Sequence, residues 1–83
     1  MASFRIYIVD DERIIRKSLV DEFRDMGYDV FEFANPMAAL MALNKYPPEL
    51  VITDLKMPEM SGIDLLKKLK LFNEGIFVLM ITA

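Results

Sequence analysis

Cysteine and histidine are both absent from this 83-residue chain. Without thiols there is neither a disulfide framework nor a thiolate metal site. Without imidazole the usual proton shuttle and the usual zinc ligand are missing as well. No apolar run approaches the length needed to span a bilayer. The opening Met1-Ala2-Ser3-Phe4-Arg5 is too short and too quickly charged for a secretory signal. Basic runs are lacking too, and a net charge of −3 argues against a nucleic-acid surface in this segment. These absences fit a cytoplasmic location, with no membrane contact and no direct nucleic-acid partner.

What is present is mostly apolar. Such residues make up 54% of the chain against 28% charged, which describes one small globular domain rather than a disordered segment. So high an apolar share in so short a chain is expected where strands are covered on both faces and need no polar side.

Phe4 to Val9 reads as a first strand, aromatic and β-branched, ending at Asp10-Asp11-Glu12. Ile15, Leu19, Phe23 and Met26 then recur at helical spacing with charges between them, the pattern of an amphipathic helix. The acids at its start suit the helix dipole, and Gly27 is placed to end it. Asp29 to Phe33 is a second strand. Asn35-Pro36 reads as an N-cap followed by proline at the first helical position, opening a helix over Met37 to Lys45 with Leu40 and Leu43 inward. Pro47-Pro48 closes that helix. A third strand covers Leu50 to Asp54, and Pro58 marks the loop after it. The third helix runs from about Gly62 to Phe72, with Leu65, Leu66, Leu69 and Phe72 inward and Lys67, Lys68 and Lys70 on a solvated face. Ile76 to Thr82 is a fourth strand, apolar almost without break. The seven methionines read as core filling.

Strand and helix alternate as βαβαβαβ. That alternation predicts an α/β fold with a parallel sheet, right-handed crossovers and a flavodoxin-like strand order of 2-1-3-4. Ligands in such sheets bind outside the carboxyl ends of the strands where the order reverses. Here the reversal lies between the first and third strands, which end in Asp10-Asp11 and Asp54. Alone, Asp10, Asp11 and Glu12 could simply be acids favoured at a helix start. Three converging carboxylates repel one another and need a cation or a proton to relieve them. An all-oxygen donor set favours Mg²⁺, with Mn²⁺ and Ca²⁺ less selectively held. A carboxylate beside such an ion can act as a nucleophile toward phosphorus, forming an acyl phosphate. Thr82, at the end of the fourth strand, is positioned to offer a hydroxyl to the same group.

Val9-Asp10-Asp11-Glu12, then Thr53-Asp54-Leu55-Lys56-Met57-Pro58 with Gly62, then Ile81-Thr82-Ala83 resembles the receiver domain of bacterial two-component response regulators. The motifs come in the family's order with fitting spacing across essentially the whole chain. The resemblance implies that Asp54 is the phosphoacceptor, taking a phosphoryl group from a phosphohistidine on a sensor histidine kinase or phosphotransfer protein. It implies Mg²⁺ bound by Asp11 directly and by Asp10 mainly through water, with Asp54 and the backbone carbonyl of Lys56 completing the protein ligands. It makes Thr82 the switch hydroxyl and the exposed face from Glu12 to Arg24 the docking surface for the donor. It also implies a signalling phosphoacceptor rather than an enzyme. Receivers continue with a further helix, a fifth strand ending in a phosphoryl-binding lysine, and a last helix. Residues 1–83 thus correspond to the N-terminal two thirds or so of the domain, and Lys56 does not stand in for that lysine.

Two further expectations follow. A fourth strand left as an edge presents unpaired N–H and C=O groups, which favours a homo-oligomer that hides Ile76 to Ile81. A fragment of this kind could also act only as an interaction module that no longer takes phosphoryl. Other phosphoryl or nucleotide chemistries fit less well. A haloacid-dehalogenase-type phosphatase needs a second acid two residues after the nucleophile, where this chain has Lys56. A dinucleotide site needs a glycine-rich turn after the first strand, where Asp10-Asp11-Glu12 would repel a pyrophosphate.

Overall fold

The first strand, β1 (Arg5–Val9), runs through the middle of the sheet with Ile6, Tyr7, Ile8 and Val9 all buried. The computed structural model describes residues 4–82, so Ala83 of the third motif and Met1 to Ser3 of the opening segment lie outside the described residues. Along the chain follow α1 (Arg13–Asp25), β2 (Asp29–Phe33), α2 (Pro36–Ala42), β3 (Leu50–Asp54), α3 (Gly62–Phe72) and β4 (Phe77–Ile81). The sheet is parallel with order β2-β1-β3-β4, as the alternation predicts.

Successive side chains of a strand point to opposite faces, and β1 builds both cores in this way. Tyr7 and Val9 join Val51, Leu65 and Leu69 beneath α2 and α3. Ile6 and Ile8 join Val20, Val30 and Ile52 on the α1 side. The Tyr7 ring lies 4.7 Å from that of Phe33, and its hydroxyl donates to the Tyr46 carbonyl, so this large polar tip is satisfied although the residue is buried.

Several local readings need correction. In α1 the fully buried residue is Val20, whereas Leu19 and Phe23 pack at the edge of that core and Met26 is 64% exposed. Met26 is the C-cap, beyond the last residue that α1 lays over β1 and β2, and Gly27 turns the chain away with φ +94°. The acids before α1 do not occupy its first turn. Glu12 is an extended N-cap without a side-chain cap bond, and the Asp10 carboxylate accepts the Glu12 amide instead. Helix α2 is shorter than its pattern suggests. Asn35 caps it as expected by accepting from Ala38, but the amides of Lys45 and Tyr46 both fold back onto the Ala42 carbonyl and tighten the chain into turns. Pro36 and Ala39 are its buried residues, the C-cap Leu43 is buried just beyond it, and Leu40 is partly covered.

Helix α3 has the expected bounds, capped by Ser61, with Leu65 and Leu69 fully buried. Phe72, its last residue, is 43% exposed rather than inward. Lys70 is not merely solvated, since its Nζ donates to the carbonyls of Glu74 and Ile76 and so secures the turn into β4. Met57 is buried, but Met26, Met37 and Met41 are exposed, so core filling describes only part of the methionine content. On β4, Phe77 and Leu79 are exposed, because α1 covers β1 and β2 rather than this side of the sheet.

Candidate functional site

Strand register sets the site. Val9 pairs with Thr53 across β1 and β3, so the next residues, Asp10 and Asp54, leave the two strands side by side at the same edge. One carboxylate oxygen from each of Asp10, Asp11 and Asp54 lies within 4.8 Å of the others. Two donors on one Mg²⁺ at 2.0–2.1 Å can be at most about 4.2 Å apart. The side chains of the trio must draw inward for all three oxygens to reach one ion, and their all-oxygen chemistry suits a hard divalent cation.

The three acids differ in their surroundings. Asp10 is only 1% exposed, Asp54 half-buried and Asp11 exposed. Asp10 is tied down at three atoms. Its amide donates to the Phe33 carbonyl at 3.1 Å, its Oδ1 accepts the Glu12 amide at 2.8 Å, and its carbonyl accepts Arg16 Nη1 at 2.7 Å. Burial pushes its carboxyl above the usual aspartate range; the Glu12 amide opposes this, while the charges of Asp54 and Asp11 add to it and Arg16 counteracts them.

Asp54 sits on a rigid shoulder. The Leu55 amide extends the β3–β4 pairing to the Ile81 carbonyl at 3.1 Å, and the Gly62 amide donates back to the Leu55 carbonyl at 2.8 Å. Thr53, fully buried, donates its hydroxyl to the Asp54 carbonyl at 3.0 Å, and Asp54 Oδ1 accepts the Lys56 amide at 3.3 Å. Gly62 has a packing role at the head of α3. A Cβ there would stand 2.5 Å from the Asp54 carbonyl oxygen, so the start of α3 and the end of β3 meet at a distance only glycine permits.

An open cleft of about 450 Å³ lies over these residues, lined by Asp11, Glu12, Asp54, Leu55, Lys56 and Thr82. A smaller recess below it is lined by Asp10, Ile15, Asp54, Ile81 and Thr82. The five residues singled out from sequence, Asp10, Asp11, Asp54, Lys56 and Thr82, are thus all brought to one edge. The supporting residues Thr53, Gly62 and Arg16 were not legible as such. Arg16 reads in the sequence as one more charge on an amphipathic helix, and only its bonds to Asp10 and Glu32 distinguish it.

The response regulator receiver domain model matches residues 6–83. The chain is 42% identical over 83 residues to sporulation initiation phosphotransferase F of Bacillus subtilis, matching all of this chain and 67% of that protein. It is 32% identical over 78 residues to the probable transcriptional regulatory protein TcrX of Mycobacterium tuberculosis, matching 94% of this chain but only 33% of that protein. Among solved structures it superposes on the Vibrio cholerae chemotaxis protein CheY4 with TM-score 0.89 at 28% identity, over 95% of this chain and 68% of that one. A β2-β1-β3-β4 parallel sheet that gathers Asp10, Asp11 and Asp54 at its switch point, together with these likenesses, makes the chain a member of the receiver domain family of two-component response regulators.

Proposed function

We propose that Asp54 is the residue that accepts phosphoryl, with Asp10, Asp11 and the Lys56 carbonyl holding Mg²⁺ beside it and Thr82 serving as the switch hydroxyl. The observation that carries this is the carboxylate trio, in which the half-buried Asp54 borders the open cleft while Asp10 is buried beneath it. A carboxylate oxygen of Asp54 attacks phosphorus as the P–N bond of a phosphohistidine breaks, and the electron pair of that bond leaves with the imidazole. A bound Mg²⁺ supplies charge neutralisation for the phosphoryl oxygens. The residues of this chain orient and hold. Lys56 N–H fixes one oxygen of Asp54, Gly62 and Thr53 fix its backbone, and Thr82 stands across the cleft.

In this reading the donor is a sensor histidine kinase or phosphotransfer protein that docks on the exposed side of α1 from Glu12 to Arg24. Residues 1–83 form the N-terminal part of a cytoplasmic receiver domain that signals rather than turns over a substrate, without direct contact to nucleic acid or membrane. No helix among the described residues is long and apolar enough to cross a bilayer. Incubation with acetyl phosphate and Mg²⁺, followed by intact-mass measurement, tests the assignment. A single added phosphoryl group that disappears in Asp54→Asn is expected, and equal labelling of the variant would refute it.

A second reading, in which the chain serves as an interaction module, has one favourable observation. β4 is a sheet edge whose Phe77 and Leu79 are 69% and 53% exposed. Exposed apolar edges of this kind pair readily with a second copy.

A further inference from the structure

Arg16 joins two strands beneath the carboxylates. Its Nη1 donates to the Asp10 carbonyl at 2.7 Å, and its Nε donates to Glu32 Oε1, on β2, at 3.0 Å. The Arg16 side chain is 15% exposed and that of Glu32 43%, so the guanidinium is largely enclosed while its partner reaches solvent. Asp10 directly follows the last residue of β1 and begins the acidic turn. Its amide is held by Phe33 on β2, and its carbonyl by an arginine that is itself held by Glu32 on the same strand.

We propose that Arg16 and Glu32 form a positioning pair that fixes the Asp10–Asp11 turn for cation binding, acting through the backbone rather than touching the ion. The planar fork of arginine presents two N–H groups at a fixed spacing and can serve a carbonyl and a carboxylate together, which the single ammonium of lysine cannot do in that geometry. This inference rests on the reading of the trio as a cation site.

Charge and geometry make opposite predictions here. If Arg16 mattered only as a positive charge, Arg16→Gln would tighten Mg²⁺ binding and Arg16→Lys would leave it unchanged. If Arg16 positions the turn, both substitutions weaken binding, by about tenfold or more, as loss of outer-shell partners does at metal sites. Calorimetric Mg²⁺ titration of wild type and both variants reads the difference. Amide hydrogen exchange in the metal-free protein gives an independent readout, because the Glu12 N–H that donates to Asp10 Oδ1 should exchange faster in Arg16→Lys. Glu32→Ala, which removes the acceptor at a more exposed position, should show the same acceleration even if the arginine variants fold poorly. Unchanged Glu12 exchange in Glu32→Ala, or Mg²⁺ affinity within twofold of wild type in folded Arg16→Lys, overturns the proposal. Absence of Mg²⁺ binding in the wild type would instead overturn the cation site, while the exchange measurements would still judge the pair.

Discussion

Replacing Gly62 with alanine should disturb both stability and phosphorylation. Gly62 does not have a positive φ, so the objection to a side chain is one of space. The added Cβ would stand 2.5 Å from the Asp54 carbonyl oxygen, 3.0 Å from Leu55 Cα and 3.3 Å from the Asp54 carbonyl carbon. All three are backbone atoms, so no flexible side chain can swing aside. Bringing the shortest contact to the 3.0 Å that Cβ atoms essentially never undercut requires at least 3.0 − 2.5 = 0.5 Å of movement. Overpacking of this kind costs about 1–3 kcal/mol. Better helix propensity returns at most about 1 kcal/mol, and less at the first turn. A net loss of about 1–2 kcal/mol in urea unfolding is therefore expected. The moving backbone carries the Asp54 carboxylate with it, and misplacement by 1 Å can cost about a hundredfold in rate. The initial rate of acetyl phosphate labelling should accordingly fall by roughly tenfold. Gly27→Ala provides the contrast. Its φ of +94° strains any other residue, yet nothing lies within 4 Å of the added Cβ. It should lose about 1–2 kcal/mol and label at the wild-type rate per folded molecule. Gly62→Ala with wild-type labelling and stability within about 0.5 kcal/mol of wild type would refute the close-approach reasoning.

Asp10 should make the metal-free protein pH-sensitive. Its carboxyl is raised in the folded state, so the native protein binds that proton more tightly than the unfolded chain. The group's stabilising contribution is complete below the ordinary aspartate pKa and is lost as pH rises through the folded value. Asp10→Asn should therefore gain stability over wild type with rising pH in that window, measured by urea unfolding in EDTA; a difference that does not grow with pH would count against the shift. Saturating Mg²⁺ should reverse the effect in the wild type, adding about 2.7 kcal/mol at a hundredfold excess over Kd, and Asp11→Ala should abolish most of that gain in thermal melts. Light scattering should find the 83-residue chain oligomeric and Leu79→Lys monomeric, whereas a monodisperse wild-type monomer would dismiss pairing through β4.

Local patterns along the chain suffice to set the order of elements and the residues that meet at the sheet edge. Parallel pairing follows from alternating strand and helix patterns, and a 2-1-3-4 order then brings the ends of the first and third strands together. Asp10, Asp11 and Asp54 needed only that topology to converge, because each sits at or next to a strand end whose position is set by a short, nearly continuous apolar run. The bounds of β3 and α3 were legible for similar reasons, with Pro58 breaking the chain and Ser61 available to cap. Tertiary structure decided what local pattern leaves open. Which residue of α1 is most deeply buried depends on where the helix lies over β1 and β2, so Val20 and not Met26 is enclosed. The end of α2 depends on a turn that brings Tyr46 to Tyr7. Gly62 looks like any loop glycine until α3 is laid against the end of β3, and Arg16 looks like any helix charge until β2 supplies Glu32. Both depend on how neighbouring elements pack against one another, and spacing along the chain carries no record of how closely they approach.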